Sequence, residues 1–411
     1  MLEGLKLREN LIKDQQHRHS KAEFVSQEEL LDSPERQLQV EQLLRRNADP
    51  NAPDRLGNTA LLCAAAQGHP ELIQALLDAG RIRATARASA EEGLQEVVEA
   101  LETGAQLEAR DEHGDTALLV AAIYDRLKVV EALVEAGAQL DARNVDGRTA
   151  LIAASSLGHL QVVKVLVNAG AQLEAHDEFG CTSLISAAQR GDVKVVEVLV
   201  KAGAQLEACD KHGGTALMFA ARSGYQDVVA VLVKAGAKLE AHDEHRQMAL
   251  TLAASEGYQG VVGVLVKAGA QLEARDEFGK TALIRAAEAG RLKVVEVLVK
   301  TGAQLEARDE LGATALITAA SKGQLKVVEA LLKAGAQLEA HNKYRHTALI
   351  VAAFFGYQEV AEVLVKAGAQ LEARALTIAT HEGHLKVVEV LEEASARLDA
   401  GNVDGETALK A

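Results

Sequence analysis

Asp276-Glu277-Phe278-Gly279-Lys280-Thr281-Ala282-Leu283-Ile284-Arg285-Ala286-Ala287 opens one complete unit of this chain, and Gly290 through Gly302 completes it. Asp276 and Gly279 have turn chemistry, an acceptor side chain followed by a permissive backbone. Thr281 stands as N-cap before Ala282-Leu283-Ile284-Arg285-Ala286-Ala287, a strong helix-forming run that Gly290 ends. Leu292, Val294, Val295, Val297, Leu298 and Val299 predict a second helix with a broad apolar face, closed by Lys300 in its last turn and Gly302 as the left-handed cap. Glu296 and Lys300 form an i,i+4 pair in the favourable order, repeated at Glu197–Lys201, Glu329–Lys333 and Glu362–Lys366. Neither helix buries its apolar face alone.

The unit repeats. The glycine of Gly-Ala-Gln-Leu-Glu-Ala recurs at Gly104, Gly137, Gly170, Gly203, Gly236, Gly269, Gly302, Gly335 and Gly368, always at an interval of 33 residues. The step from Gly80 to Gly104 is 24 and that from Gly368 to Ser395 is 27, so two units are shortened. Full units begin at Asp54, Asp111, Asn144, Asp177, Asp210, Asp243, Asp276, Asp309 and Asn342. The shortened units, near 81–110 and 373–400, lack the Asp-x-x-Gly turn; the first keeps a second helix at Leu94, Val97, Val98 and Leu101. A half-repeat precedes the first full unit, a stub at Thr407–Ala411 starts another helix, and residues 1–35 form an arm with a short helix around Glu28–Leu31.

These residues resemble the ankyrin repeat over about 36–411. The unit length, Asp-x-x-Gly-x-Thr-Ala-Leu, the Ala-Ala pair, Gly158-His159 and Asn47-Ala48-Asp49-Pro50-Asn51-Ala52 carry the likeness. The resemblance implies an all-α repeat solenoid, stacked helix-turn-helix ankyrin repeats with projecting β-hairpin loops, and a concave face made of hairpins and first helices. One departure stands out. The family's Thr-Pro-Leu-His is here Thr-Ala-Leu followed by Leu62, Leu119, Ile152, Ile185, Met218, Thr251, Ile284, Ile317 or Ile350, so apolar packing replaces the histidine at that corner.

Composition agrees with thin stacked layers. Aromatics are 3% of the 411 residues, tryptophan is absent, and all four prolines (Pro34, Pro50, Pro53, Pro70) precede residue 71. A net charge of −15 argues against nucleic acid and anionic membranes as partners. Three distant cysteines (Cys63, Cys181, Cys209) suit a reducing compartment, and no run of about 18 apolar residues or signal-like start appears. A cytoplasmic location follows, the host cytosol if the protein is a delivered effector.

Catalytic signatures are missing: there is no phosphate-binding glycine loop, Gly-x-Ser-x-Gly, His-Glu-x-x-His or Cys-x-x-Cys, so neither an enzyme nor a cofactor is expected. His381-Glu382-Gly383-His384 is the repeat's own Gly-His. Cys209, His212, His242 and His245 lie on neighbouring turns and have ligand-type spacing for Zn²⁺, against the plainer reading of a polar edge. The ladder Glu108, Asp141, Glu174, Glu207, Glu240, Glu273, Glu306, Glu339, Glu372, with Arg110, Arg143, Arg275, Arg308 and Arg374 beside it, is either a partner-selecting strip or a solvated edge.

The few aromatics are more informative. By phase, Phe179, Phe278 and Tyr344 sit at turn tips, Tyr124, Phe354 and Phe355 end first helices, and Tyr225, Tyr258 and Tyr357 take the Gly-His position as packing residues. Arg345 replaces the turn glycine. Exposed rings beside an arginine have hot-spot composition, so Tyr344, Arg345, Phe354, Phe355, Phe278, Phe179 and Tyr124 are the expected partner-binding residues. The expected function is a protein-binding scaffold. An inhibitor or regulatory adaptor of an enzyme on another chain would use the same face, and the weakly capped C-terminus leaves end-to-end association open.

Overall fold

The computed structural model describes residues 51, 53–54, 57–77 and 106–408, with side chains up to residue 396. The expectations for residues 1–35, for most of the half-repeat, for the body of the shortened unit near 81–110 and for the last three residues lie outside these. The chain divides into two compact bodies, residues 1–150 with 168–170, and residues 151–167 with 171–411.

In the first body, helix Ala60–Gln67 packs against Ala117–Ile123, which pairs with Leu127–Glu135. The second body carries Leu160–Asn168 and then the pairs Ser183–Arg190 with Val193–Lys201, Ala216–Ser223 with Gln226–Lys234, Ala249–Glu256 with Gln259–Lys267, Ala282–Glu288 with Leu292–Lys300, Ala315–Ser321 with Leu325–Lys333, and Ala348–Phe355 with Gln358–Lys366. Ala373–His381 and Leu385–Ala408 follow. First helices stack on first helices and second on second.

The repeated sequence explains the stacking. Ala286 and Ala287 are fully buried, and their small side chains bring neighbouring first helices close, while Val294, Val295 and Leu298 bury the inner face of the second helix. Truncating such a leucine to alanine costs about 2–5 kcal/mol. The threonine hydroxyls of Thr59, Thr116, Thr182, Thr215, Thr281, Thr314 and Thr347 each accept the N–H three residues on, at 3.4–3.5 Å, so the predicted N-caps form. The predicted C-caps form too: Ala303 N–H reaches Leu298 O and Gly302 N–H reaches Val299 O, with Gly302 at φ 95°.

Two classes of glycine punctuate each unit. Around Gly302 there is open space, so only the backbone angle requires glycine there. Gly191 differs: a Cβ would sit 2.5 Å from the Tyr225 ring, which lies on it from the next unit. Tyr258 on Gly224 and Tyr357 on Gly323 repeat the contact, which places these tyrosines as inter-unit packing residues.

Three expectations change. The projecting segments build no sheet among the described residues; each arm is so short that only single antiparallel bridges form, at His176/Thr182, Cys209/Thr215 and His242/Met248. Of the four i,i+4 pairs, only Glu362–Lys366 closes, at 3.5 Å on an exposed surface where solvent competes. At the C-terminus a single helix, Leu385–Ala408, runs through the residues read as the start of a further unit.

Candidate functional site

The face made by turns and first helices is held by three kinds of bond at most of the turns. The leading Asp or Asn accepts the backbone N–H groups two and four residues on; Asp276 does so from Phe278 and Lys280 at 2.9 and 3.0 Å. The tip carbonyl then accepts from the next turn: Glu277 N–H to His245 O, Glu310 N–H to Phe278 O and Lys343 N–H to Leu311 O, at 2.9–3.0 Å. Third, the acidic ladder bonds forward. Oε1 of Glu108, Glu174, Glu207, Glu240, Glu273, Glu306 and Glu339 accepts the backbone N–H 31 residues on, at 2.7–3.0 Å. Nη1 of Arg110, Arg275 and Arg308 donates to the carbonyl of the corresponding residue one unit on. The ladder is an inter-unit brace, a role neither sequence alternative contained.

On this frame the aromatics are exposed where phase placed them. Tyr344 is 60% exposed, Phe278 52%, Phe355 49% and Phe354 42%. Phe354 and Phe355 meet edge to face with centroids 5.0 Å apart. They line one wall of a groove of about 320 Å³, with Val351 beside them, Leu311, Ala313 and His346 on the turn side, and Ile317, Thr318 and Lys322 from the neighbouring first helix. Tyr344 reaches the groove indirectly, its ring 6.1 Å from that of His346. Phe278 does so through Lys280, a groove residue 6.0 Å above its ring. Arg345 is exposed beside Tyr344 but does not line the groove.

Arg345 has φ 57°, the left-handed angle that glycine adopts elsewhere in the turns. At Gly312 a Cβ would stand 3.1 Å from Lys343 N of the following turn. After Arg345 there is no following turn, because Ala373–His381 begins at once, so that contact is absent; Arg246, at φ 54°, takes the same angle with a following turn present, so the contact disfavours a side chain without forbidding it. Tyr344 O, which a next turn would engage, is instead approached by Arg374 Nη1 at 3.4 Å.

Phe179 and Tyr124 do not join this groove. Phe179 is half-buried, and its carbonyl accepts Lys211 N–H. Tyr124 is the half-buried C-cap of Ala117–Ile123 in the first body, and burial pushes its phenol up to about 12. The zinc-type set stays apart as well. His212 Nδ1 lies 2.8 Å from Glu244 Oε1, His245 Nδ1 lies 2.9 Å from Glu277 Oε1, and His242 Nδ1 faces Asp243 O. Among the described residues no three His, Cys, Asp or Glu side chains converge as metal ligands. The carboxylates facing these histidines give them partners along the turn edge.

Electrostatics is most organised at the groove edge supplied by the unit that begins at Asp276. Asp276, nearly fully buried, pairs with Arg285 Nη2 at 2.5 Å, and Glu288 pairs with Lys280 at 2.7 Å and Arg285 at 3.3 Å. Burial alone would raise the Glu288 carboxyl, but Lys280 and Arg285 hold it below its ordinary range.

Sequence reading missed Thr318, Leu311 and Lys322. A signal for Thr318 existed: its register position carries Val120, Ala153, Ser186, Phe219, Leu252, Arg285 and Val351 in other units, between positions that scarcely change. That variation marks the position as one the repeat itself does not dictate, although it is buried in most units.

Residues 36–77, 86–177, 169–243, 238–309 and 304–375 match family models described as ankyrin repeats. The chain belongs to the ankyrin-repeat family. Ankyrin repeats are protein-interaction modules, and both matching models describe repeats of this kind. No curated protein matches the chain. Among the described residues of this ankyrin-repeat protein, no helix is long and apolar enough to cross a membrane.

Proposed function

We propose that this protein is a binding scaffold that holds another protein on its turn and first-helix face, with the contact centred on the unit beginning at Asn342. The observation that carries this reading is the Phe354–Phe355 pair, exposed on a groove in a chain whose interior is otherwise built from small aliphatics. Rings left in water beside such a groove gain by being covered. Tyr344, Arg345 and Phe278 extend the surface along the turn tips.

Affinity capture with the intact chain, followed by mass spectrometry, identifies the partner, and titration of that partner tests the face. Phe355→Ala is expected to weaken binding by about 2 kcal/mol, roughly thirtyfold, with an unchanged melting temperature. A large fall in melting temperature with unchanged binding per folded molecule would assign the rings to packing instead.

A further inference from the structure

The groove beside Phe354 and Phe355 has a chemical character beyond its apolar wall. At its floor Thr318 is only 6% exposed, yet its hydroxyl Oγ1 has no hydrogen-bond partner. Hydroxyls of this kind in folded proteins are nearly always bonded, so this one, sealed from solvent on a groove-lining residue, is a bond that a seated polar atom would complete. The corresponding residue in the adjoining units is Arg285, which is paired, and Val351, which is apolar.

Charge around the groove is also unbalanced. Glu288 is paired with Lys280 and Arg285 and also feels Lys322, while Asp309, bonded at Oδ1 by the N–H groups of Leu311 and Ala313, keeps its negative charge at the groove. Lys322, a lining residue, is exposed and closes no ion pair. Lys343 and Arg345, on the adjoining turn, are likewise exposed and close no ion pair, so three cations stand against the two acids Asp309 and Glu310 of the preceding turn. A local cationic rim on a chain of net charge −15 selects by sign.

We propose that the groove takes an extended acidic segment of a partner protein, one bulky apolar side chain of which enters against Phe354, Phe355, Val351 and Leu311. The segment's backbone or side-chain polar atom satisfies the Thr318 hydroxyl, and its carboxylates face Lys322, Lys343 and Arg345. The volume of about 320 Å³ accommodates one such side chain with the backbone beside it. This inference rests on the proposed binding face and specifies the chemistry that it recognises.

The test selects short random peptides on a display library against the full chain, then titrates the synthesised winners by fluorescence anisotropy. Enriched peptides are expected to carry net negative charge around an aromatic or long aliphatic residue. Lys322→Glu is expected to weaken their binding at least about tenfold, and Thr318→Val, which keeps the shape but removes the hydroxyl, roughly threefold to tenfold. Thermal unfolding of both variants should match that of the unaltered chain. Basic or uncharged winners, no enrichment, or full affinity in Lys322→Glu overturns the proposal. So does a concentration-dependent dimer that Phe355→Ala abolishes, since a second copy would then fill the groove. If the captured partner loses affinity on Phe355→Ala but not on Lys322→Glu, the acidic chemistry fails while the binding face stands. If it responds to neither, both fail.

Discussion

Units 243–275 and 276–308 are consecutive copies of one design, and they reach the same backbone by unequal means. The second has Gly279 at the tip, Thr281 as N-cap and the Asp276–Arg285–Glu288–Lys280 network. In the first, Arg246 takes the left-handed tip at φ 54°, Met248 sits at the N-cap without a capping side chain, and Gly260 and Gly263 lie inside the second helix. Leu252 stands where the second has Arg285, so Asp243 has no such partner on its own helix. The turn bonds of Asp243 and the forward brace from Glu240 to Gln271 are nevertheless intact. In a stacked array the neighbours hold a unit whose own sequence is poor, because interface terms are shared with local ones.

Removing the leading aspartate is the strongest way to break this comparison. Asp276→Ala loses two turn bonds and leaves Arg285 with only Glu288, an expected cost of about 3 kcal/mol in urea unfolding. Asp243→Ala loses the turn bonds and only a longer-range attraction to Arg222, and should cost about 1–2 kcal/mol. Equal costs would show that the network adds nothing.

Asp115 offers a further contrast at the position just before the N-cap threonine, where these two units have Gln247 and Lys280. It is buried, bonded by Asn144 Nδ2 at 2.8 Å, and desolvation together with Asp111 pushes its carboxyl up to about 6 from an ordinary 3.8. The folded state therefore holds an extra proton between those values, and stability contributed by this group falls as pH rises through that window. Asp115→Asn should stabilise by about 2 kcal/mol at pH 8 and by almost nothing near pH 4, measured as melting curves across pH. A pH-independent gain would assign the effect to packing.

A smaller effect sharpens the cap comparison. Thr251 Oγ1 accepts Met248 N–H and donates to Met248 O, both at 2.9 Å, a substitute for the missing threonine cap. Thr251→Ile should therefore cost about 1 kcal/mol alone and close to nothing in the M248T background, a coupling that a double-mutant cycle reads directly.

The smallest effect separates the two helix glycines. Nothing lies within 4 Å of a Cβ at Gly263, whereas at Gly260 it would meet Gln226 Oε1 at 2.1 Å. Gly263→Ala should stabilise by about 0.8–1 kcal/mol, and Gly260→Ala by less. Hydrogen exchange of residues 259–267 should register the difference.

The fold was legible because every interval between the Gly-Ala-Gln-Leu-Glu glycines from Gly104 to Gly368 is 33, which fixes phase and hence which side chains face inward. Exposure of Tyr344, Phe354 and Phe355 followed from that phase. What stayed hidden depends on contacts a full unit away. Glu273 looks like a solvated acid until Gln304 N–H is found against it, and Met248 looks uncapped until the Thr251 hydroxyl turns back. Thr318 stands at a variable register position, but its burial without a partner is visible only in the structure. Arg345 was recognised as a turn-glycine substitute, but its steric freedom comes from a turn that the next unit lacks.

The forward braces also set the mechanics. Between Val193 and Lys366, tip carbonyls and glutamates join successive units along one edge, while no hydrogen bond joins one second helix to the next. One margin is thus stitched by a regular row of directional bonds, and the second helices are held mainly by apolar contact, with Arg291 Nε to Ser255 O as a bond at one N-cap. Under bending or tension the second helices should therefore slip before the turn margin changes its spacing. A partner lying along the turns would meet a ruler of constant pitch even while the opposite margin breathes.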